Sequence, residues 1–437
     1  MAVQGARPPA GPTVFINARL VDPGANRDEP GGLLVRDGMI ADVGAHLRRN
    51  APDGVDVVDC KGQVLCPGLI DMEVFMGEPG YEHRESIRTA GEAAAAGGVT
   101  TIVVMPDTNP VIDQVALVDF IQRRARDRCV VNVRTCAALT KGLEGKEMTE
   151  IGLLQRTGAI AFSNGKNSIG DTKVMRNALL YGRDFDALIM HHPEDPYLAA
   201  GGAMNSGPTS ARLGLPAAHK MAEVIMLERD IRLVEMTGGR YHASSISCAE
   251  SLGVVKAAKA RKLPVTCGVS MHHLTLNETD IGTYRTFFKL RPPLRSEEDR
   301  SALVRGLANG DIDVVVSSHD PQDADVKRRP FAEAEPGAIG LETLLAAVLK
   351  LHHEDKIDLS VLLRPLTTNP AKLLGLPSGR LDKGAPADLT LFDPNMAWVV
   401  DRDQMKARSK NTPFDETTLH GRVLRTMVAG QTVYQYG

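Results

Sequence analysis

The chain has 437 residues, 43% of them hydrophobic and 24% charged, with Lys+Arg 51 against Asp+Glu 54 and a net charge of −3. Those proportions exclude global disorder and a coiled coil, and without a basic surplus nothing argues for nucleic acid. At roughly 150 residues per domain the length predicts two or three domains, or one large barrel with an appendage.

Residues 1–12 read as a loose tail without the apolar stretch of a secretory signal. No apolar run approaches the roughly 18 residues of a membrane span, so a cytoplasmic protein without membrane association is expected. Cys60, Cys66, Cys129, Cys136, Cys248 and Cys267 are scattered singly with no CxxC pair, which predicts reduced, packed thiols. Residues 13–66 are short apolar runs and turns, among them Val14-Phe15-Ile16 and Leu33-Leu34-Val35. Asp37-Gly38 stands between two such runs as a hairpin signal. The same texture returns over 376–437, in Asp388 to Phe392, Arg422 to Val428 and Gln431 to Tyr434. The two ends are expected to build one small β-sandwich.

Residues 67–375 alternate differently. Eight apolar or β-branched runs begin near Gly68, Thr101, Val130, Ala159, Ala187, Tyr241, Pro264 and Asp313. Helix-period stretches lie between them, such as Arg84 to Ala96, Ala217 to Glu235 and Ala249 to Arg261. Strands each followed by a helix predict parallel βα units, and eight of them in about 300 residues predict an α/β fold, a (β/α)8 barrel with insertions. Chemistry in such a barrel sits at the C-terminal ends of the strands.

Those ends carry Pro67-Gly68-Leu69-Ile70-Asp71-Met72, Met105-Pro106-Asp107-Thr108-Asn109-Pro110, Lys289-Leu290-Arg291-Pro292-Pro293-Leu294-Arg295 and Ser409-Lys410-Asn411-Thr412-Pro413-Phe414. In this order they resemble the dihydroorotases of the amidohydrolase superfamily along nearly the whole length. The resemblance implies a barrel plus a sandwich from both termini. It also implies reversible opening of a cyclic amide by a zinc-bound water, with a carboxylate on the last strand as base.

Residue by residue the resemblance is broken where that chemistry lives. The first strand's His-x-His pair is Glu73-Val74-Phe75. The substrate-binding Arg is Gly77, and the substrate-binding Asn of the second strand is Asp107. The bridging carboxylate of the fourth strand is Asn164, the fifth keeps His192, and the sixth has Ser245 for its His. Arg291 replaces a substrate-contacting Asn. At the last strand Ser318 stands for the catalytic Asp and Gln322 for a substrate-contacting His, while His319 remains. One His alone binds zinc weakly, and a Ser is no general base near neutral pH.

Other groupings have two readings each. Glu73 and His192 are either a relict metal site or hydrogen-bond each other or water. Lys166 is a bridging carbamylated Lys, as in some relatives, or a solvated loop residue. His319-Asp320 is a displaced base pair or a strand end. His191, His242, His272 and His273 are structural. Cys248 is activated by a helix start or simply packed. Asn205-Ser206-Gly207-Pro208 reads as a loop without chemistry.

The leading expectation is a non-catalytic dihydroorotase homologue, with no cofactor, that forms a homo-oligomer and partners aspartate transcarbamoylase; that partner is implied by the resemblance alone. A first rival is an active cyclic amidohydrolase with zinc in an altered site, using Glu73, His192, His319 and Asp320. A second is a sensor of a pyrimidine intermediate that contacts the anion through Arg291.

Overall fold

Two sheets organise the computed structural model, which describes residues 11–49 and 51–437. The tail expected over 1–12 lies, apart from Gly11 and Pro12, outside the described residues. The first sheet takes β1 (Thr13–Asp22), β2 (Arg27–Arg36), β3 (Met39–Gly44), β4 (Asp56–Asp59) and β5 (Val64–Pro67) from the N-terminal part. Between β2 and β3, Asp37 and Gly38 have φ of 50° and 77°, the left-handed pair that a tight hairpin turn demands.

The chain then passes into βα units. These are β6 (Leu69–Val74), α1 (Ile87–Ala96), β7 (Val99–Val104), α2 (Val115–Arg128), β8 (Asn132–Ala138), α3 (Ile151–Thr157), β9 (Ala159–Ser163), α4 (Thr172–Arg183) and β10 (Leu188–His191). An excursion follows, with β11 (Met204–Asn205), α5 (Pro208–Leu213) and β12 (Ala217–Ala218). The units resume with α6 (Met221–Thr237), β13 (Arg240–Ala243), α7 (Ala249–Ala260), β14 (Val265–Ser270), α8 (Met271–Thr275), α9 (Glu297–Ala308) and β15 (Val314–Val316). After α10 (Ala324–Lys327) and α11 (Leu344–Glu354), β16 (Leu389–Val399), β17 (Thr418–Val428) and β18 (Gln431–Gln435) return to the first sheet.

That sheet runs β18-β17-β16-β5-β1-β2-β3, with β4 paired to β1. β5 joins the two termini, antiparallel to β16 and parallel to β1. One continuous sheet thus forms the terminal domain, around a core that includes Phe15, Leu20, Leu33, Ile40, Leu65, Leu389 and Met427. The barrel is β6-β7-β8-β9-β10-β13-β14-β15. Its seam closes at the top, where Val74 bridges His319 and the Phe75 N–H donates to the His319 carbonyl at 2.9 Å.

Local chemistry explains the helix ends. Ser86 and Thr89 cap α1 reciprocally, and its Ala90, Ala93, Ala94 and Ala95 are buried. Small residues let the helix lie close to the barrel. It stops at Gly97, where any side chain would meet the Leu341 carbonyl oxygen at 2.0 Å. Inside the barrel Met72, Val103, Met105, Cys136, Ala161, Leu188, Met190, Val314 and Val316 form one packed cluster. With the lumen filled, only the rim at the strand C-termini is left for chemistry.

Three expectations shift. The third barrel strand starts at Asn132 rather than Val130, because α2 runs to Arg128 and the next residues only turn the chain. The helix expected from Ala217 starts at Met221, because Ala217 and Ala218 pair with Met204 and Asn205. Asn205-Ser206-Gly207-Pro208 is therefore a packed strand end and helix start, not a loop. Asn205 is buried between Glu278 and Arg295, at 2.6 and 3.0 Å. All six cysteines are buried and none forms a disulfide. Among the described residues no helix is long and apolar enough to cross a membrane.

Candidate functional site

The barrel rim brings the singled-out positions together, and most of them bond to one another or to neighbouring segments. Glu73, next to last in β6, accepts a 2.6 Å hydrogen bond at Oε2 from the Ser245 hydroxyl. Ser245 Oγ lies 3.4 Å from Ser318 Oγ. Both serines have left-handed backbones, φ 53° and 48°, a conformation that side chains other than Gly, Asn and Asp seldom adopt. Asn164, just past β9, turns its Oδ1 to the Thr140 N–H and hydroxyl at 3.0 and 2.9 Å. His192 is not bonded to Glu73. Its Nε2 lies 3.6 Å from Glu194 Oε2 and makes no hydrogen bond.

A knot of charge fills the space in front of these groups. Arg84 reaches in from the segment before α1 and lays its guanidinium 4.0 Å over the Phe75 ring. It donates to Asp320 Oδ1 at 2.8 Å and to the Pro321 carbonyl at 2.9 Å. Lys166, whose side chain is 25% exposed, pairs with the other oxygen of Asp320. Gln322 Nε2 donates to the same carboxylate at 3.1 Å. Asp107 faces this knot with an Oδ1 that has no partner. Burial, and then the Asp320 charge, push its carboxyl up to about 6, against the pull of Lys166 and Arg84. The cavity left among Glu73, Phe75, Asp107, Lys166, Ser318 and Asp320 is about 20 Å³, room for little more than one water molecule.

Neighbouring groups are equally occupied. Burial would raise the Glu194 carboxyl, yet His192 and Arg291 outweigh it and hold it down to about 2. Arg291 grips Glu194 through Nη2 at 2.7 Å and Nε at 2.8 Å. His319 Nδ1 accepts from the Gly340 N–H at 3.2 Å, so its Nε2 carries the proton facing Glu85, 3.3 Å away. His191 bonds Asp230 at 2.7 Å and accepts from the Ile169 N–H. His242 and His272 are buried, which pushes both imidazoles down to about 3.

Known proteins resemble this chain along its length. Residues 62–251 match the family described as Dihydro-orotase-like, and residues 202–433 match the Amidohydrolase family. The dihydroorotase of Wolbachia sp. subsp. Brugia malayi (strain TRS) is 42% identical, over 96% of this chain and 95% of that protein. The dihydroorotase of Syntrophus aciditrophicus (strain SB) is 40% identical, over 95% and 98%. The chain belongs to the dihydroorotase family. Among solved structures, L-hydantoinase (dihydropyrimidinase) from Arthrobacter aurescens superposes with a TM-score of 0.89 at 24% identity, covering 98% of this chain and 97% of that one. That likeness speaks for the barrel fold alone.

Zinc is what the dihydroorotase family implies at this rim, and the residues present do not fit it. Phe75 offers no donor atom, Asn164 and Ser245 are neutral and already bonded, and Ser318 is a hydroxyl. Among the described residues no group of three or more His, Cys, Asp or Glu side chains gathers to hold a metal ion.

Four sequence-based alternatives are corrected. Glu73 and His192 do not pair, because Ser245 and Glu194 take them separately. Asp320 does not replace the lost base, because two cations and Gln322 occupy it. Arg291 is not free for an anion, because Glu194 neutralises it. Cys248 is not activated at the start of α7, because burial and then Glu223 push its thiol up to about 12.

Sequence reasoning missed Arg84 and Glu85. The signal was there, in Tyr81-Glu82-His83-Arg84-Glu85, a charged run just past the first barrel strand, opposite a rim that had gained Asp107. Gly77 also has a cause that type counting hides. At φ +75° a Cβ there would sit 2.4 Å from the Glu85 carbonyl oxygen, so the loop that delivers Arg84 requires glycine.

Proposed function

We propose that this chain serves pyrimidine biosynthesis as a dihydroorotase-family subunit without turnover of its own, and that it acts by assembly with aspartate transcarbamoylase. The observation that carries the first part is the closed rim. Arg84, Lys166 and Asp320 fill the place of substrate, and Glu73, Ser245 and Ser318 bond to one another in the place of a metal. A dianionic substrate would have to break a partly buried ion-pair network, and it would then meet Ser318 where the family has its general base. The partner rests on the family resemblance alone.

A second reading is an active dihydroorotase working through an altered site. Relatives at 42% and 40% identity, matched over 95% or more of this chain, carry that name, and this supports it.

One experiment separates the two. The chain is purified from a host lacking its own dihydroorotase, equilibrated with zinc, and assayed for dihydroorotate hydrolysis alongside its metal content. Loss of a general base alone removes about 10²–10⁴-fold of rate, so no turnover above the uncatalysed background and well under one zinc per chain are expected. Ordinary enzymatic rates with stoichiometric zinc would establish the second reading.

A further inference from the structure

Beside the closed rim a cleft of about 800 Å³ opens between three segments far apart in sequence: 284–287, 322–329 and 402–411. That is the size of a small-molecule site, ~300–1,000 Å³. Seven of its lining residues are Lys or Arg and two are Asp, in a chain whose net charge is −3.

The cations are poorly neutralised. Arg285 and Arg402 come from different segments, each 5.7 Å from the Phe287 ring centroid, and share the single carboxylate of Asp415 at 3.6 and 3.5 Å. Arg328 has only the exposed Asp325 at 3.7 Å. Among the described residues no ion pair involves Arg329 or Arg408, both exposed at the cleft. Of the two acids in the wall, Asp323 faces His83 at 3.2 Å and Asp403 lies 3.9 Å from Arg402.

Beneath them Lys327 is 4% exposed. It donates to the carbonyl oxygens of Thr286 and Glu335 at 3.0 and 2.7 Å. Burial pushes its ammonium down to about 7. Converging like charges in a concave wall repel one another, and the same wall focuses a positive potential that a bound anion would relieve. Five of the seven cations are arginines, whose planar forks match phosphoryl oxygens in pairs.

We propose that this cleft binds a small polyanion with adjacent phosphoryl groups, held by Arg329 and Arg408 together with Arg285 and Arg402. None of these four arginines occupies a family metal or substrate position, although Gln322, at a family substrate position, lines the cleft where it adjoins the rim.

Isothermal titration calorimetry of the full chain with inorganic tripolyphosphate, ATP, UTP and citrate tests it. Tripolyphosphate should bind, and the double variant Arg329→Ala/Arg408→Ala should weaken binding at least about tenfold. Arg126→Ala, an exposed arginine on α2, should change it less than about twofold. A nucleotide binding more tightly than tripolyphosphate assigns the site to nucleotides; equal binding assigns it to the bare polyphosphate group. Three results would overturn the proposal: no binding of any phosphoryl compound up to about 1 mM, citrate binding as tightly as tripolyphosphate, or an equal loss in Arg126→Ala.

Discussion

Asp107 illustrates what a single substitution does at this rim. Asp107 is half-buried, its Oδ1 is buried without a partner, and its folded pKa of about 6 lies above the ordinary 3.8. The folded state therefore holds the proton more tightly than the unfolded chain. Below 3.8 both are protonated and nothing is lost; above about 6 the fold carries an ionised group that burial disfavours. Asp107→Asn should accordingly stabilise the protein, with a gain that grows between pH 4 and pH 7 towards ~1–3 kcal/mol. Thermal unfolding across that range checks it, and a gain independent of pH would show that charge is not the cause. Gly77 gives the opposite sign. Gly77→Ala must adopt a left-handed backbone and press on the Glu85 carbonyl, so a loss of about 1–3 kcal/mol is expected in urea unfolding. Gly77→Arg, which would restore a family substrate contact, should lose more and recover no turnover. The replacement of family metal positions by Phe75, Asn164, Ser245 and Ser318 was legible residue by residue, because a Phe or Ser declares its chemistry wherever it lies. The contacts formed in their place were not legible, because Arg84 meets Asp320 across 236 positions and Ser245 meets Glu73 across 172.

Elements are held to the barrel by a few buried polar clamps as well as by apolar packing. On α6, Asp230 accepts from His191 after β10 packs beside it, at 2.7 Å, and from the Tyr241 hydroxyl of β13 at 2.8 Å. Arg229 completes the cluster at 2.6 Å. Burial would raise the Asp230 carboxyl, but His191 and then Arg229 hold it below the ordinary carboxylate range. Asp230→Ala leaves His191, Tyr241 and Arg229 without their common partner, and a loss of about 3–5 kcal/mol is expected. Equilibrium unfolding in urea measures it; a loss under about 1 kcal/mol would mean that the helix is held by its apolar face alone. None of this clamp was visible in the sequence, where Asp230 sits inside a charged helical stretch like any surface acid. The eight strands were visible, because parallel strands covered on both faces are continuous apolar runs. Their edges were not: Val130 and Val131 are as apolar as a strand, and only the reach of α2 decides that pairing starts at Asn132.

For the whole molecule, the proposed assembly role makes a demand on the surface rather than on the rim. A barrel kept for assembly needs a stable surface, and the ion-pair knot and filled lumen provide rigidity. The partnership proposed with aspartate transcarbamoylase then has a definite physical requirement: a lasting contact of this kind removes at least roughly 1,200 Å² from water. Glu73 and His192 lie inside the rim, and His192 is fully buried, so neither can contribute much of that area. Glu73→Ala and His192→Ala should therefore leave assembly unchanged even where they lower stability, whereas an active enzyme would have these two among its few remaining site residues. Analytical ultracentrifugation of the chain alone, and mixed with aspartate transcarbamoylase over a range of micromolar concentrations, checks both halves. A homodimer or larger oligomer and a co-sedimenting complex, each insensitive to the two substitutions, are expected. Independent sedimentation of a monomeric chain would remove the assembly role, and the turnover assay with zinc would then carry the decision between an altered enzyme and a protein whose ligand is the polyanion of the basic cleft.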